Sequence, residues 1–291
     1  MQIPPQIFFD TNVLLGLNPE GIAALKKLQV DRGFRYRYSM LNFVELVSHL
    51  GDTSCSKTHN PFRKNQAVLE KIYHLFDPRP LPSPESVFMK AVGLYHYLGP
   101  SWKVNEEGWV DTLGIMVKAK NLAELQTSGF NPEHYKVLRG QDEKWFLKFI
   151  EKARGLGNFP TKSQHENFEP IDPQWGTFLG QFYECFIYRA SSERITFSAL
   201  GRGEKKRVLK FFSIDSPGGG IFLMHFVHLL RQTLIDQKKE DANDFYDMLQ
   251  LLLLKDGNLL FVTDDRPFHQ YYAGAQEHRV VSWKFFKASA F

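Results

Sequence analysis

The stretch Ile7-Phe8-Phe9-Asp10-Thr11-Asn12, an apolar run that stops abruptly at an aspartate, places the firmest constraint on how this chain can fold. Ile7 to Phe9 are strand formers with no polar interruption, the pattern of a buried strand, and Asp10-Thr11-Asn12 then supply turn and helix-cap chemistry. The strand therefore carries a carboxylate to its own carboxyl end. In an open α/β sheet that edge opens onto the crevice where ligands bind. A second run of the same kind, Leu259-Leu260-Phe261-Val262-Thr263, ends in the acids Asp264-Asp265.

Around these runs the chain alternates helix and strand. Pro19-Glu20-Gly21 opens a helix with Ile22, Leu25 and Leu28 at helical spacing, and Phe34 to Ser39 alternates aromatic and basic residues like a strand with two unlike faces. Leu41, Val44, Leu46, Val47 and Leu50 mark another helix, in which Glu45 is the one acid. The alternation ends at Gly51. Asp77-Pro78-Arg79-Pro80-Leu81-Pro82-Ser83-Pro84 reads as an extended linker, because repeated proline excludes helix and removes amide donors. Helical patterns cover 66–76, 85–98, 107–125, 142–156 and 174–190, with almost no strand pattern between 51 and 213. The expected architecture is α/β: a parallel sheet flanked by helices, made from residues 1–50 and 215–291, interrupted by a mostly helical lobe over 51–214.

Further acids follow. Asp244 and Asp247 share one face of a helical pattern whose apolar positions are Phe245, Met248, Leu249 and Leu252, and Asp241 is placed to cap its start. Like charges about 4 Å apart repel by roughly 4 kcal/mol at an effective dielectric of 20, so a cluster of such carboxylates calls for a neutralising cation. Ligands that are all oxygen select Mg²⁺ or Mn²⁺ rather than zinc, and such ions suit water attack on a phosphodiester. His225 and His228 lack an acidic third ligand and read as packed histidines. The Gly218-Gly219-Gly220 run before them lacks the Gly-Lys-Ser/Thr ending of a nucleotide loop and reads as a flexible joint.

The order Asp10-Thr11-Asn12, then Ser39 with Glu45-Leu46, then Asp244/Asp247 on a helix, then Val262-Thr263-Asp264-Asp265-Arg266, resembles the PIN-domain nucleases over residues 1–50 and about 215–291. The resemblance implies a PIN-like twisted parallel sheet flanked by helices. It also implies a Mg²⁺- or Mn²⁺-dependent hydrolase, an endoribonuclease that uses metal-activated water and leaves 5′-phosphate and 3′-hydroxyl ends. By the same resemblance Asp10 is the first-strand metal ligand, Glu45 the second-helix acid and Asp265 the late-strand acid. Asp247, favoured by its spacing to the following strand, and Asp244, favoured by the Asn243-Asp244 pair, both belong to the implied set, one binding the ion directly and the other nearby or through water. Asn12, Thr263 and Asp264 are candidate substrate contacts beside them. The chain departs from the small members after Asp265, where Arg266-Pro267-Phe268 brings no further acid, so one ion or two is left open.

Composition narrows the partners. A net charge of +4 and an isoelectric point of about 8.9 are compatible with a polyanion. Arg35 and Arg37, and the run Arg202, Lys205, Lys206, Arg207 and Lys210, are candidate phosphate contacts. The expected partner is nucleic acid, RNA before DNA, with a regulatory protein and self-association left open. No apolar stretch approaches the roughly 18 residues that span a bilayer, and two isolated cysteines, Cys55 and Cys185, indicate a reducing, cytoplasmic setting. Two rival expectations are a PIN-fold RNA-binding or scaffolding module without turnover, and a DNA-directed nuclease of the flap type.

Overall fold

A computed structural model describes residues 6–52, 60–100, 103, 106–154, 173–213, 216–234, 244–272 and 279–290. Cys55, Asp241 and Asn243 lie outside these, as does the side chain of Cys185. The described strands are β1 (Gln6–Phe9), β2 (Arg35–Arg37), β3 (Leu259–Val262) and β4 (Val280–Val281). They form one four-stranded sheet, in the order β2-β1-β3-β4, with every pair parallel. β1 is thus an interior strand, which accounts for its unbroken apolar run: both edges are hydrogen-bonded and both faces are covered. On one face Phe9 meets Tyr36, Phe76, Trp283 and Phe286 at ring-centre distances of 5.6 to 6.0 Å. On the other, Phe8 stacks on Phe261 at 4.5 Å, and Phe261 meets Phe268 edge-on.

The chain divides into two compact units. The first comprises residues 1–83, 104–140 and 256–291 and contains the sheet; the second comprises 84–103 and 141–255. This differs from the boundaries expected at 51 and 214. The helix Pro61–Leu75, assigned from sequence to the inserted lobe, lays Val68, Leu69, Ile72 and Leu75 into the same apolar cluster as Ile7 and Phe9. Leu113 and Met116 of the helix Glu106–Lys118 join that cluster. The proline-rich stretch is also more than a linker. Asp77 N donates to Tyr36 O (2.9 Å), Leu81 N to Tyr38 O (2.8 Å) and Tyr38 Oη to Pro78 O (2.8 Å). It therefore covers the open edge of β2, one of the ways sheets avoid unwanted pairing.

Local chemistry sets the helix boundaries in this unit. Asn18 accepts from Gly21 N (2.8 Å) to start the helix Pro19–Arg32, and Gly33, at φ 66°, ends it. The helix Met40–Ser48 begins at a capping box in which Ser39 and Asn42 satisfy each other's backbone amides.

The second unit is built on phenylalanine. Phe88, Phe182, Phe186, Phe222, Phe226 and Phe245 are all fully buried, from the helices Pro84–Ala91, Pro173–Ala190, Gly219–Leu234 and Asp244–Gln250. An ionic knot sits among them. Arg189 meets Asp142 (2.9 Å) and the deeply buried Glu85 (3.3 Å), while Tyr246 Oη donates to Asp142 (2.9 Å). Burial pushes both carboxyls upward in pKa, so the pair is held by its partners against a desolvation penalty. The glycine run read as a flexible joint is a close crossing instead. A Cβ on Gly219 would fall 1.9 Å from Phe211 O, and Gly218, at φ +74°, leaves a Cβ position only 2.6 Å from Lys255 N. Among the described residues no helix is long and apolar enough to cross a membrane.

Candidate functional site

The site is assembled at the carboxyl edge of the two central strands. The chain runs from β1 outward to β2, then returns on the opposite side of β1 to form β3, so β1 and β3 flank a topological switch point. At such a point the loops leave in opposite directions and open a crevice. Asp10 follows β1 directly, with its amide still bonded to Val262 O (2.9 Å), and Thr263-Asp264-Asp265 follow β3. Residues 253 positions apart in sequence thereby meet: Thr263 Oγ1 donates to Asp10 Oδ2 at 2.9 Å. The same hydroxyl oxygen accepts from Asp265 N at 3.1 Å, so one threonine orients both acidic positions.

Asp10 is only 2% exposed. Its pKa is pushed up to about 6, first by burial and then by the neighbouring carboxylates of Glu45 and Asp265; the Thr263 hydroxyl and the Thr11 amide oppose the rise. Glu45 reaches Asp10 because the helix Met40–Ser48 is docked by its first turn. Asn42, fully buried, accepts from Ser39 through Oδ1 and donates through Nδ2 to Thr11 Oγ1 (3.0 Å). Glu45 lies three residues further, on the same side of the helix. His269 completes the frame from the helix Arg266–Tyr272: its Nε2 lies 2.7 Å from Thr263 O, and because a carbonyl only accepts, that nitrogen carries the proton.

Thus Asp10, Glu45 and Asp265 form one electrostatic group. The other expected residues have different situations. Asp264 is exposed and accepts from Trp283 N (2.9 Å), capping the final helix Trp283–Ala290, which is a structural use of the side chain. Asn12 is exposed in the short helix Thr11–Gly16. Arg35 is paired with Gln6 at the start of both strands, roughly 13 Å along the strand axis from Asp10, so it does not stand at the acid edge. Arg37 is spent on Gln6 Oε1 and on the carbonyls of Arg79 and Pro80. Asp244 and Asp247 belong to the second unit, where both lie in the first turn of the helix Asp244–Gln250, a favourable place for negative charge. In the basic run of that unit Arg207 Nε donates to Val92 O (2.6 Å) and Lys205 Nζ to Ser198 O (2.8 Å), while Arg202, Lys206 and Lys210 are exposed.

No family model, curated protein or solved structure matches this chain.

Asn42 and His269 carry no mark in the sequence pattern, and Thr11 is marked only as part of the turn after Asp10, since their roles depend on which helix docks beside which strand end. As a cation site the donors are all carboxylate oxygens, the chemistry of a hard divalent ion. Among the described residues, no three Asp, Glu, His or Cys side chains stand together as a ready-made metal cage. Mg²⁺ does not need one, because it commonly keeps several waters and takes one or two carboxylates. Asp10, crowded by negative neighbours in a buried position, fits that mode.

Proposed function

We propose that this chain is a PIN-type nuclease that hydrolyses phosphodiester bonds, with RNA as the preferred substrate, at the edge formed by Asp10, Glu45 and Asp265. The observation that carries the reading is Asp10 itself: a nearly buried carboxylate at the switch point of a parallel sheet, beside two more acids. Such a group lowers stability in the folded chain, and binding a cation offsets that loss. Perturbed carboxylates in a strand-end crevice mark functional sites. The parallel order β2-β1-β3-β4 and the acids at both central strand ends support the PIN reading.

Asp10 would hold Mg²⁺ or Mn²⁺, with Asp265 and Glu45 contributing directly or through water. A bound ion of this kind supplies Lewis acidity at the phosphoryl oxygen and lowers the pKa of the attacking water. The protein's own contribution is positional. Thr263 holds Asp10 Oδ2 in place, Asn42 and Ser39 fix the helix that carries Glu45, and His269 fixes the peptide of Thr263. In the reaction a water oxygen bonds to phosphorus, the bond to the 3′ oxygen breaks, and that oxygen takes up a proton; the products carry 5′-phosphate and 3′-hydroxyl ends.

The test is cleavage of end-labelled single-stranded RNA and of the matching DNA strand, with Mn²⁺ or with EDTA. The parent should cut RNA only with the ion, and Asp10→Asn and Asp265→Asn should fall by about 100-fold or more, beyond the roughly 10–100-fold typical of losing an outer-shell partner of a metal site. Equal cutting by parent and both variants would sink the proposal. Preferential cutting of the DNA strand would move the substrate while keeping the chemistry.

A further inference from the structure

The second unit contains a groove for which the acid site has no use. It is open to solvent, has a volume of about 960 Å³, and lies between the helix Pro173–Ala190, the loop after it, and Trp145 and Lys152 of the helix Pro132–Arg154. Its described lining includes three cations, Lys152, Arg189 and Arg194, and one acid, Glu184. Two aromatic residues, Trp145 and Tyr188, and three hydroxyl side chains make up most of the rest of the described lining, which includes no aliphatic side chain. That composition disfavours an apolar peptide or a lipid tail. It suits a ligand that combines phosphate charge with flat rings.

The individual side chains sharpen this. Arg189 is paired with Asp142 and Glu85, which fix it in place and compensate its charge, so the available cations are the other two. Lys152 and Arg194 are exposed and form no ion pair among the described residues. Tyr188 is 41% exposed, unusual for so large a ring in a unit whose other aromatics are mostly buried. Arg194 lies over it, with the guanidinium 5.9 Å from the ring centre and Nη1 3.5 Å from Oη. Arg194 is also the one described non-glycine residue with positive φ, at 52°. An arginine in that left-handed region costs on the order of 1 kcal/mol, and such departures cluster where a side chain is being aimed. Here Ser191 Oγ accepts from Ile195 N (2.7 Å) and Tyr97 O from Ser192 N (2.8 Å), which fastens the turn that presents Arg194.

We propose that this groove binds a short run of single-stranded RNA. Lys152 and Arg194 contact its phosphates, and Tyr188, with the exposed part of Trp145, offers faces on which bases stack. The volume stands at the upper end of the roughly 300–1,000 Å³ typical of small-molecule sites, and with an open side it suits two or three linked nucleotides better than one. The choice of RNA among polyanions rests on the nuclease reading above.

Binding is measured in EDTA, where no cutting occurs, by anisotropy of a labelled eight-nucleotide RNA, with a nucleoside monophosphate and inorganic polyphosphate as competitors. The Lys152→Glu/Arg194→Glu double variant should bind at least 10-fold more weakly, and its salt dependence should be shallower by about 1.4 in slope, the value for two phosphate contacts on a single strand. Tyr188→Ala should weaken binding about 5-fold or more, as lost stacking does. All three substitutions fall on exposed side chains, and unchanged melting temperatures establish that the fold is intact. Parent-like RNA binding by both variants overturns the proposal. So does polyphosphate competing as well as RNA with no effect of Tyr188→Ala, since the groove would then be a plain anion pocket. Failure of the nuclease reading looks different: the groove variants lose RNA binding while the parent never cuts with Mn²⁺.

Discussion

Asp10 has a pKa of about 6 where an unfolded aspartate has 3.8, so folding and ionisation are linked at this residue. Below about pH 4 it is protonated in both states. Between pH 4 and 6 the unfolded chain ionises while the folded chain keeps its proton, and above pH 6 the folded chain carries the buried charge. Without divalent cation, Asp10→Asn should therefore be more stable than the parent by up to about 3 kcal/mol at pH 7, with the gap closing toward pH 4. Urea denaturation at several pH values measures this; a gap that does not change with pH would show that the buried charge is already compensated. Mn²⁺ should reverse the ranking at pH 7, because the ion stabilises only the protein that binds it. Thr263→Val removes the donor to Asp10 and should destabilise the fold by about 1–3 kcal/mol, while moving the pH at which the Asn gap levels off to a higher value. Asp10 and Asp265 were legible in sequence because an apolar run ending in an acid is a local signal. Asp264 carries the same signal, yet it caps the final helix; which of two adjacent acids turns inward is decided by where that helix begins.

At the scale of elements, the helix Met40–Ser48 is positioned by polar contacts at its first turn as well as by its apolar side. Asn42→Ala removes the reciprocal half of the capping box and leaves the buried Thr11 hydroxyl with one contact fewer, for an expected loss of about 2–3 kcal/mol in chemical denaturation. It should also weaken the Mn²⁺ shift, since Glu45 rides on the same helix; an undiminished shift would detach Glu45 from the ion. The sheet strands and most helices could be read from periodicity, and the start of one helix from Pro19-Glu20-Gly21, whereas the caps at Asn18 and Ser39 emerge only with the fold. What could not be read is what each helix packs against. Val68, Leu69 and Ile72 have the same pattern whether they face an inserted lobe or the sheet, and only the fold puts them against Ile7 and Phe9. Likewise the prolines of 78–84 announced an extended segment, but its hydrogen bonds to Tyr36 and Tyr38 depend on β2 being an edge. Arg35 is a different case: a strand's first residue belongs at the edge opposite its last, so its distance from the acids followed from strand direction alone.

For the whole molecule, each compact unit is stitched from separated segments, three for the sheet-bearing unit and two for the other. The interior strand β1 pairs with β3 across almost the entire chain, Gln6 opposite Leu259. In native-state hydrogen exchange the amides of β1 should be among the slowest, exchanging only when the sheet-bearing unit opens as a whole. A chain ending at Lys255 should lose that protection, having lost β3 and β4; retained protection would mean that β2 alone secures the central strand. The same pairing sets a timetable during protein synthesis. At roughly 5–20 residues per second, the ribosome takes on the order of 10–50 seconds to pass from β1 to β3. Throughout that interval one edge of Gln6–Phe9, three of whose four residues are bound for the core, waits for a partner that has not yet been made.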